Sequence, residues 1–378
     1  MNRKIAIALI ILGVSFVNLA KAQSKFSSAE YKIGILLPFS SDGTNKENKN
    51  AEAIFDYYQG VKIALSQLEK DGFKSKVYVW DLNNKDSVEL ENLYKTAEFQ
   101  SLNLLIGPIS QKYIPQIVKK IKNNATCWVS PLKSLNIPNG LTSLNFFSPD
   151  SLRMRGLGYA VSDQFKMHKF CLVTDGSSQS RKDANTLKFV LQNLSKGRKV
   201  SIHTFSGTTF TPNLPNKDSV ICINTFTNQT AKVQLVNYVS GKINDKKNAS
   251  FRSASYVIGH FNWFENISLS QNVDEAKIIY PAINFINLTD SSTREFIKTF
   301  LETNYSEPSR FGYQGFDQML FLGYALMYSG EEFLNTVPNA NSVGFINTIR
   351  PYKIGKRYFN IGVRLISLGN HEQKLFTN

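Results

Sequence analysis

Polar side chains that could hold a ligand recur where apolar runs of this chain end. Phe39, Ser40 and Ser41 close the run that starts at Lys32. Ser110 and Gln111 follow LLIGP, and Ser130, Lys133 and Ser134 follow CWV. Hydroxyls and backbone N–H groups at helix starts suit a carboxylate or another anion. The same serines could equally be helix caps and turn residues. Further on, Asp175 to Gln179, Thr225 to Thr227 and His260 to Trp263 follow a second set of apolar runs. Asp175 and, further along, Glu265 are the acids of this region, and Gln179 and His260 are polar. Phe226 and Trp263 could stack on a ring or sugar, or could pack at a strand end. The loop from Ser41 to Asn50 is long and polar enough to form a lip.

Reaction chemistry has no comparable foothold. There is no Gly-x-Ser-x-Gly, no His-Glu-x-x-His, no phosphate loop and no Gly-x-Gly-x-x-Gly after the first strand. His168, His203, His260 and His371 lack ligand-like spacing, so neither a metal nor another cofactor is expected. Asp81 to Asp86 resembles a calcium loop only faintly, without the glycine and distal glutamate. A non-enzymatic binding role is the expectation.

The elements that position these residues alternate. KIGILLPFS (32–40) is an apolar strand, followed by a helix over 51–70 with Ile54, Tyr58, Val61, Leu65 and Leu68 on one face. Gly72 stops it. KVYVWDL (76–82) is a strand, and a helix from Asp86 carries Glu89 as a capping box. LNLLIGP (102–108), a helix from about Gln111, and TCWVSP (126–131) follow, with LTSLNFF expected at a sheet edge. A second series begins with a helix over 151–166, then KFCLVTD (169–175), a helix over 181–195, KVSIHTF (199–205), DSVICINTF (218–226), a helix near 230–240 and SASYVIGHFNW (253–263). The class is α/β, with each series making its own parallel sheet. AKIIYPAINFIN (276–287) leads into a crossing. A helix capped by Ser292 and Glu295, and another over 312–329 ending at Gly330, lack a sheet of their own and are expected to return to the first lobe. Alternating apolar residues from Tyr352 to Ile366 predict a hairpin.

Composition bounds the setting. Arg3 and Lys4, an apolar stretch from Ile5 to Val17 and Ala20-Lys21-Ala22 read as a secretory signal over residues 1–22, cleaved before Gln23. The stretch is short of the ~20 residues that span a bilayer. A periplasmic or secreted protein follows. The 378 residues suit two lobes. The net charge is +15, with basic residues scattered in no aromatic-basic stripe, which argues against nucleic acid and for solubilising lysines. Cys127, Cys171 and Cys222 each lie in an expected strand, an odd set that argues for packed thiols.

Taken in order, these segments resemble the type I periplasmic binding proteins, the branch of leucine and branched-chain amino acid receptors. KIGILLPFS with YYQGVKIALSQLEKDG (57–72) is similar to that family's first strand and helix, and Asp81 to the aspartate ending its second strand. LLIGPIS (104–110) with WVSPLKS (128–134) is similar to its ligand-loop pair, GYQGFDQMLFLGYAL (312–326) to its late first-lobe helix, and VGFINTIRPYKIGKRYFNIGV (343–363) to its closing hairpin. The resemblance implies two Rossmann-like lobes with parallel sheets joined by three crossings, near Phe147–Ser151, Tyr280–Asn287 and Gly330–Asn341, with a ligand in the cleft and closure by a hinge. Lobe one would comprise 31–147 and 285–330, and lobe two 148–284 and 331–378. It implies a small polar ligand, an ABC permease or an envelope protein as partner, and a monomer or weak dimer. Gln179 stands where receptors of the family often carry tyrosine, and His260 and Phe261 stand near their acid. Both departures count against an α-amino acid and leave room for an interaction protein regulating cell-wall synthesis.

Overall fold

The computed structural model describes residues 29–39, 49–82, 87–121, 126–138, 140–166, 168–194, 199–205, 220–226, 230–231, 233–234, 256–261, 278–336, 342–369 and 372–376. The signal segment, Ser40, Ser41, Asp86, Thr227, Trp263, Glu265 and most of the helix expected near 230–240 lie outside these residues.

The first series runs β1 (Tyr31–Leu37), α1 (Lys49–Lys70), β2 (Ser75–Asp81), α2 (Ser87–Lys95), α3 (Ala97–Gln100), β3 (Leu104–Ile106), α4 (Ile114–Lys120), β4 (Cys127–Ser130) and β5 (Ser143–Asn145). The second runs α5 (Asp150–Gln164), β6 (Lys169–Thr174), α6 (Ser178–Leu194), β7 (Val200–Thr204), β8 (Val220–Asn224), β9 (Tyr256–Ile258) and β10 (Ile278–Ala282). The chain closes with α7 (Ser291–Asn304), α8 (Arg310–Ser329), α9 (Phe333–Thr336), β11 (Pro351–Ile354), β12 (Arg357–Asn360), β13 (Arg364–Gly369) and β14 (Glu372–Leu375), plus a short ladder of Ser342–Val343 on Thr348–Ile349.

Two sheets of seven strands result, ordered β11-β12-β5-β4-β3-β1-β2 and β14-β13-β10-β9-β8-β6-β7. Their central strands pair in parallel. β3, β4 and β5 are buried at every residue, as parallel strands covered on both faces must be. The chain divides into two compact units, Met1–Pro149 with Ile286–Ile361, and Asp150–Phe285 with Gly362–Asn378.

Four expectations need correction here. LTSLNFF is no edge strand, because β12 pairs in parallel with β5 and adds β11 beyond it. That pairing draws 331–361 into the first unit, whereas 331–378 had been expected in the second. The third passage between units therefore falls at Ile361–Gly362 rather than at Gly330–Asn341. Finally, Asp290 caps α7, its carboxylate accepting from the backbone N–H of Ser292 at 3.0 Å and of Thr293 at 3.1 Å. Asp satisfies two otherwise orphaned donors there, which Ser292 and Glu295 were expected to do.

The first unit's core is sealed by a close helix pair. α1 buries Ile54, Tyr57, Val61, Ala64 and Leu68, at the expected period with Tyr58 and Leu65 only half-buried. Gly60 was expected to let α1 approach its sheet. It admits α8 instead: a Cβ on Gly60 would stand 1.9 Å from the Gly312 carbonyl oxygen, and one on Gly315 would stand 2.0 Å from that of Tyr57. Cys127 and Cys171 are buried free thiols, and burial pushes the Cys127 thiol up. Among the described residues no helix is long and apolar enough to cross a membrane, and no metal-ligating cluster exists.

Candidate ligand-binding loops

The candidate residues lie at or just beyond the carboxyl ends of the parallel strands, where sheets of this kind place ligands. In the first unit these ends are tied to one another. The Phe39 backbone N–H donates to Asp81 Oδ1 at 2.9 Å, joining the ends of β1 and β2, and the Phe39 ring meets Tyr58 edge-on at 5.3 Å. After β3 the chain turns at Gly107, whose φ of 92° and whose approach to the Leu36 carbonyl exclude a side chain. Ser110 then precedes a 3-10 turn over Gln111–Tyr113 and makes no side-chain capping bond. The Gln111 amide spans to the next loop: its Nε2 donates to the Asn136 carbonyl at 3.1 Å, and its Oε1 accepts from the Asn136 N–H at 2.9 Å. Ser130 is buried, and its hydroxyl donates to the Lys133 carbonyl. Lys133 and Ser134 are exposed. Of the six first-unit candidates described, Gln111 and Ser130 thus serve loop structure, while Ser110 is half-buried and Ser134 exposed.

The second unit is organised differently. Asp175 follows β6 and closes a tight turn, its Oδ1 accepting from the Ser177 N–H at 3.0 Å and the Ser177 hydroxyl at 2.6 Å. Gly176 takes a φ of 81° there. Ser180 and Thr225, both buried, stand 3.0 Å apart through their hydroxyl oxygens and lock the start of α6 to the end of β8. Thr225 donates to the Val173 carbonyl at 3.0 Å.

On this support a polar trio assembles. Gln179 Nε2 donates to Asp183 Oδ1 at 2.8 Å, and His260 Nε2 stands 3.9 Å from Asp183 Oδ2. Asp183 is largely buried. Desolvation raises its pKa above the ordinary carboxylate value, against the hydrogen bond from Gln179 and the nearby charge of Lys182. His260 meets Phe261 at right angles, with ring centroids 5.9 Å apart. Phe226 is fully buried and packs on Phe205 at 5.4 Å, so it is a core residue and not the stacking surface it could have been. Gln179 and His260 therefore come together, Asp175 serves its own turn, and Asp183 was missed. Asp183 sits beside Ala184 and Leu187, the apolar positions of α6, and reads as an ordinary helix polar residue. The usable signal was its i, i+4 spacing from Gln179.

No protein-family model matches the sequence, and no curated protein matches it. Solved structures do. A protein assigned as a branched-chain amino acid ABC transporter from Rhodospirillum rubrum is 9% identical, with a TM-score of 0.54 over 92% of this chain and 100% of that one. The C-domain of LpoA from Haemophilus influenzae, a regulator of PBP1A, is 12% identical, with a TM-score of 0.51 over the same shares. A leucine-complexed ABC transporter substrate-binding protein from Desulfitobacterium hafniense is 13% identical, with a TM-score of 0.42, again over 92% and 100%. With two seven-stranded sheets of parallel-dominated order, the chain has the type I periplasmic binding protein fold. Identities this low speak for the fold alone.

Proposed function

We propose that this protein is exported to the periplasm and captures a small polar ligand at the carboxyl ends of its strands for delivery to an ABC permease. The observation that carries this reading is the Asp183–Gln179–His260 trio, formed by the first turns of α6 and the loop after β9. A largely desolvated carboxylate next to a neutral amide and an imidazole suits a ligand that brings hydrogen-bond donors or a cation. Ser110 and Ser134 of the first unit offer hydroxyls to a ligand's acceptors. The fold supports the reading only in outline, since it also carries other roles.

A second reading has its own support. Gln111 and Ser130, two candidate ligand residues, are consumed by loop ties, and a PBP1A regulator shares the fold. An envelope interaction protein that binds no small solute would have this character.

A thermal-shift screen of the protein, stripped of bound ligand, against amino acids, short peptides, sugars, nucleosides and cell-wall fragments separates the two. A ligand at a hundred times its Kd adds about 2.7 kcal/mol to the native state. The transport reading expects a shift from one chemical class, lost in Asp183→Ala. Silence across the panel would replace it with the interaction reading.

A further inference from the structure

An open groove of about 840 Å³ runs along α6 of the second unit, bordered by Arg155 of α5 and by Gly176 and Ser178 of the turn before α6. α6 turns its buried positions, Ala184, Leu187 and Leu191, to the core. Its groove side is built from two rows at four-residue spacing: Ser178, Lys182 and Thr186, beside Arg181, Asn185 and Phe189. Arg155 comes from α5, its guanidinium 5.6 Å from the centre of the Phe189 ring.

Two features set this groove apart. It collects three cations, Arg155, Arg181 and Lys182, and none of its described lining residues is acidic. Two acids of the same helices have other partners: Asp150 pairs with Arg153 at 2.9 Å, and Asp183 faces Gln179 and His260. Three positive side chains on one lining favour an anion over a cation or a neutral ligand. The second feature is Phe189, which is 56% exposed. An exposed phenyl ring beside the Asn185 amide and the Thr186 hydroxyl combines an apolar platform with hydrogen-bonding groups. The Thr186 hydroxyl donates to the Lys182 carbonyl at 3.0 Å, so its oxygen is left to accept.

We propose that this groove binds an anionic saccharide of two or three rings. Its acidic groups lie against Arg181, Lys182 and Arg155, and one sugar face lies on Phe189. The eight helical steps from Arg181 to Phe189 span about 12 Å, the scale of such a ligand. The shared chemistry is a saccharide anion, carboxylate or phosphate, and the groove's volume lies in the small-ligand range. The inference stands apart from the solute-binding reading, because none of its binding groups belongs to the Asp183 trio.

Calorimetric titration of the full protein tests it with trigalacturonate, phosphorylated maltotriose, maltotriose, inorganic phosphate and AMP. We expect at least one charged trisaccharide to bind, with the better of the two naming the acidic group. Maltotriose should not bind, and inorganic phosphate should bind far more weakly than the charged trisaccharide. Arg181→Gln with Lys182→Gln should cost that trisaccharide more than 10-fold. Phe189→Ser should cost it about 5-fold while leaving inorganic phosphate unchanged. Asp183→Ala should change neither, which separates this site from the ligand loops. These side chains line a surface groove, and circular dichroism checks that the variants fold. Absence of binding by both charged trisaccharides, indifference to the double substitution, indifference to Phe189→Ser, or tighter binding of AMP would each overturn the proposal.

Discussion

The strand-end loops of the two units spend their polar groups in opposite ways. In the first unit, Asp81 holds the Phe39 backbone, Gln111 holds Asn136 in both directions, and Ser130 holds Lys133. These bonds join neighbouring loops and leave few side chains over. In the second unit the buried Ser180 and Thr225 do the joining, from below. Gln179, Asp183 and His260 then sit above them with a partly desolvated charge in their midst. One set is a tied platform, and the other is a platform with reactive polarity on top. Similar topology thus yields different surfaces according to whether the tying groups are buried beneath the loop or drawn from the loop itself.

The largest effect should come from breaking the first platform's foundation. In Gly60→Leu a side chain would enter the space of the Gly312 backbone, which cannot move aside as a flexible side chain could. Overpacking of this kind costs roughly 3 kcal/mol or more. Scanning calorimetry should show a transition lowered by several degrees. Melting like the wild type would refute the claim that α1 and α8 meet backbone to backbone. Next in size is Asp183→Ala. A ligand found by the thermal screen should lose about 10- to 100-fold in affinity, the range expected for a hydrogen bond to a charged group. Isothermal titration would measure it, and unchanged affinity would remove the second unit's trio from the site.

Much of this arrangement was legible in the sequence, for physical reasons that differ by element. β1 and α1 announced themselves by a continuous apolar run and a regular period, because one is buried on both faces and the other on one. The tail hairpin was equally visible in its alternation, but its destination was not. Alternation suggested one buried face, but Tyr358, Phe359 and Asn360 of β12 are all buried, and nothing in the pattern named β5 as the strand it joins. Gly60 stood out as a close-approach residue, yet the partner lies more than 250 positions away on α8. The site shows the same limit. Serines after strands could be binders or ties, and only the positions of Asn136 and the Lys133 carbonyl decide that Gln111 and Ser130 are ties. Asp183 stayed hidden because His260 reaches it from a distant strand end.

Two smaller effects sharpen the contrast. Ser110→Ala with Ser134→Ala should weaken ligand affinity by about 5- to 10-fold, as two neutral hydrogen bonds would, without lowering the melting temperature. No change in affinity would assign binding to the second unit alone. The smallest effect tests the charge itself. Burial raises the Asp183 pKa in the folded protein above its unfolded value near 3.8. The folded state therefore favours the protonated acid. That contribution is complete below the unfolded pKa and is lost as pH rises through the folded one. At pH 7 the carboxylate is held at a desolvation cost that a neutral amide of the same shape avoids. Asp183→Asn should accordingly melt above the wild type at pH 7, with the gap closing as pH falls toward 4, while its affinity for ligand drops. A protein that keeps a destabilising charge where an amide would fit keeps it for what the charge binds. If Asp183→Asn melted lower at pH 7, pairing with His260 and Lys182 would outweigh desolvation, and the trio would be a structural tie like those of the first unit.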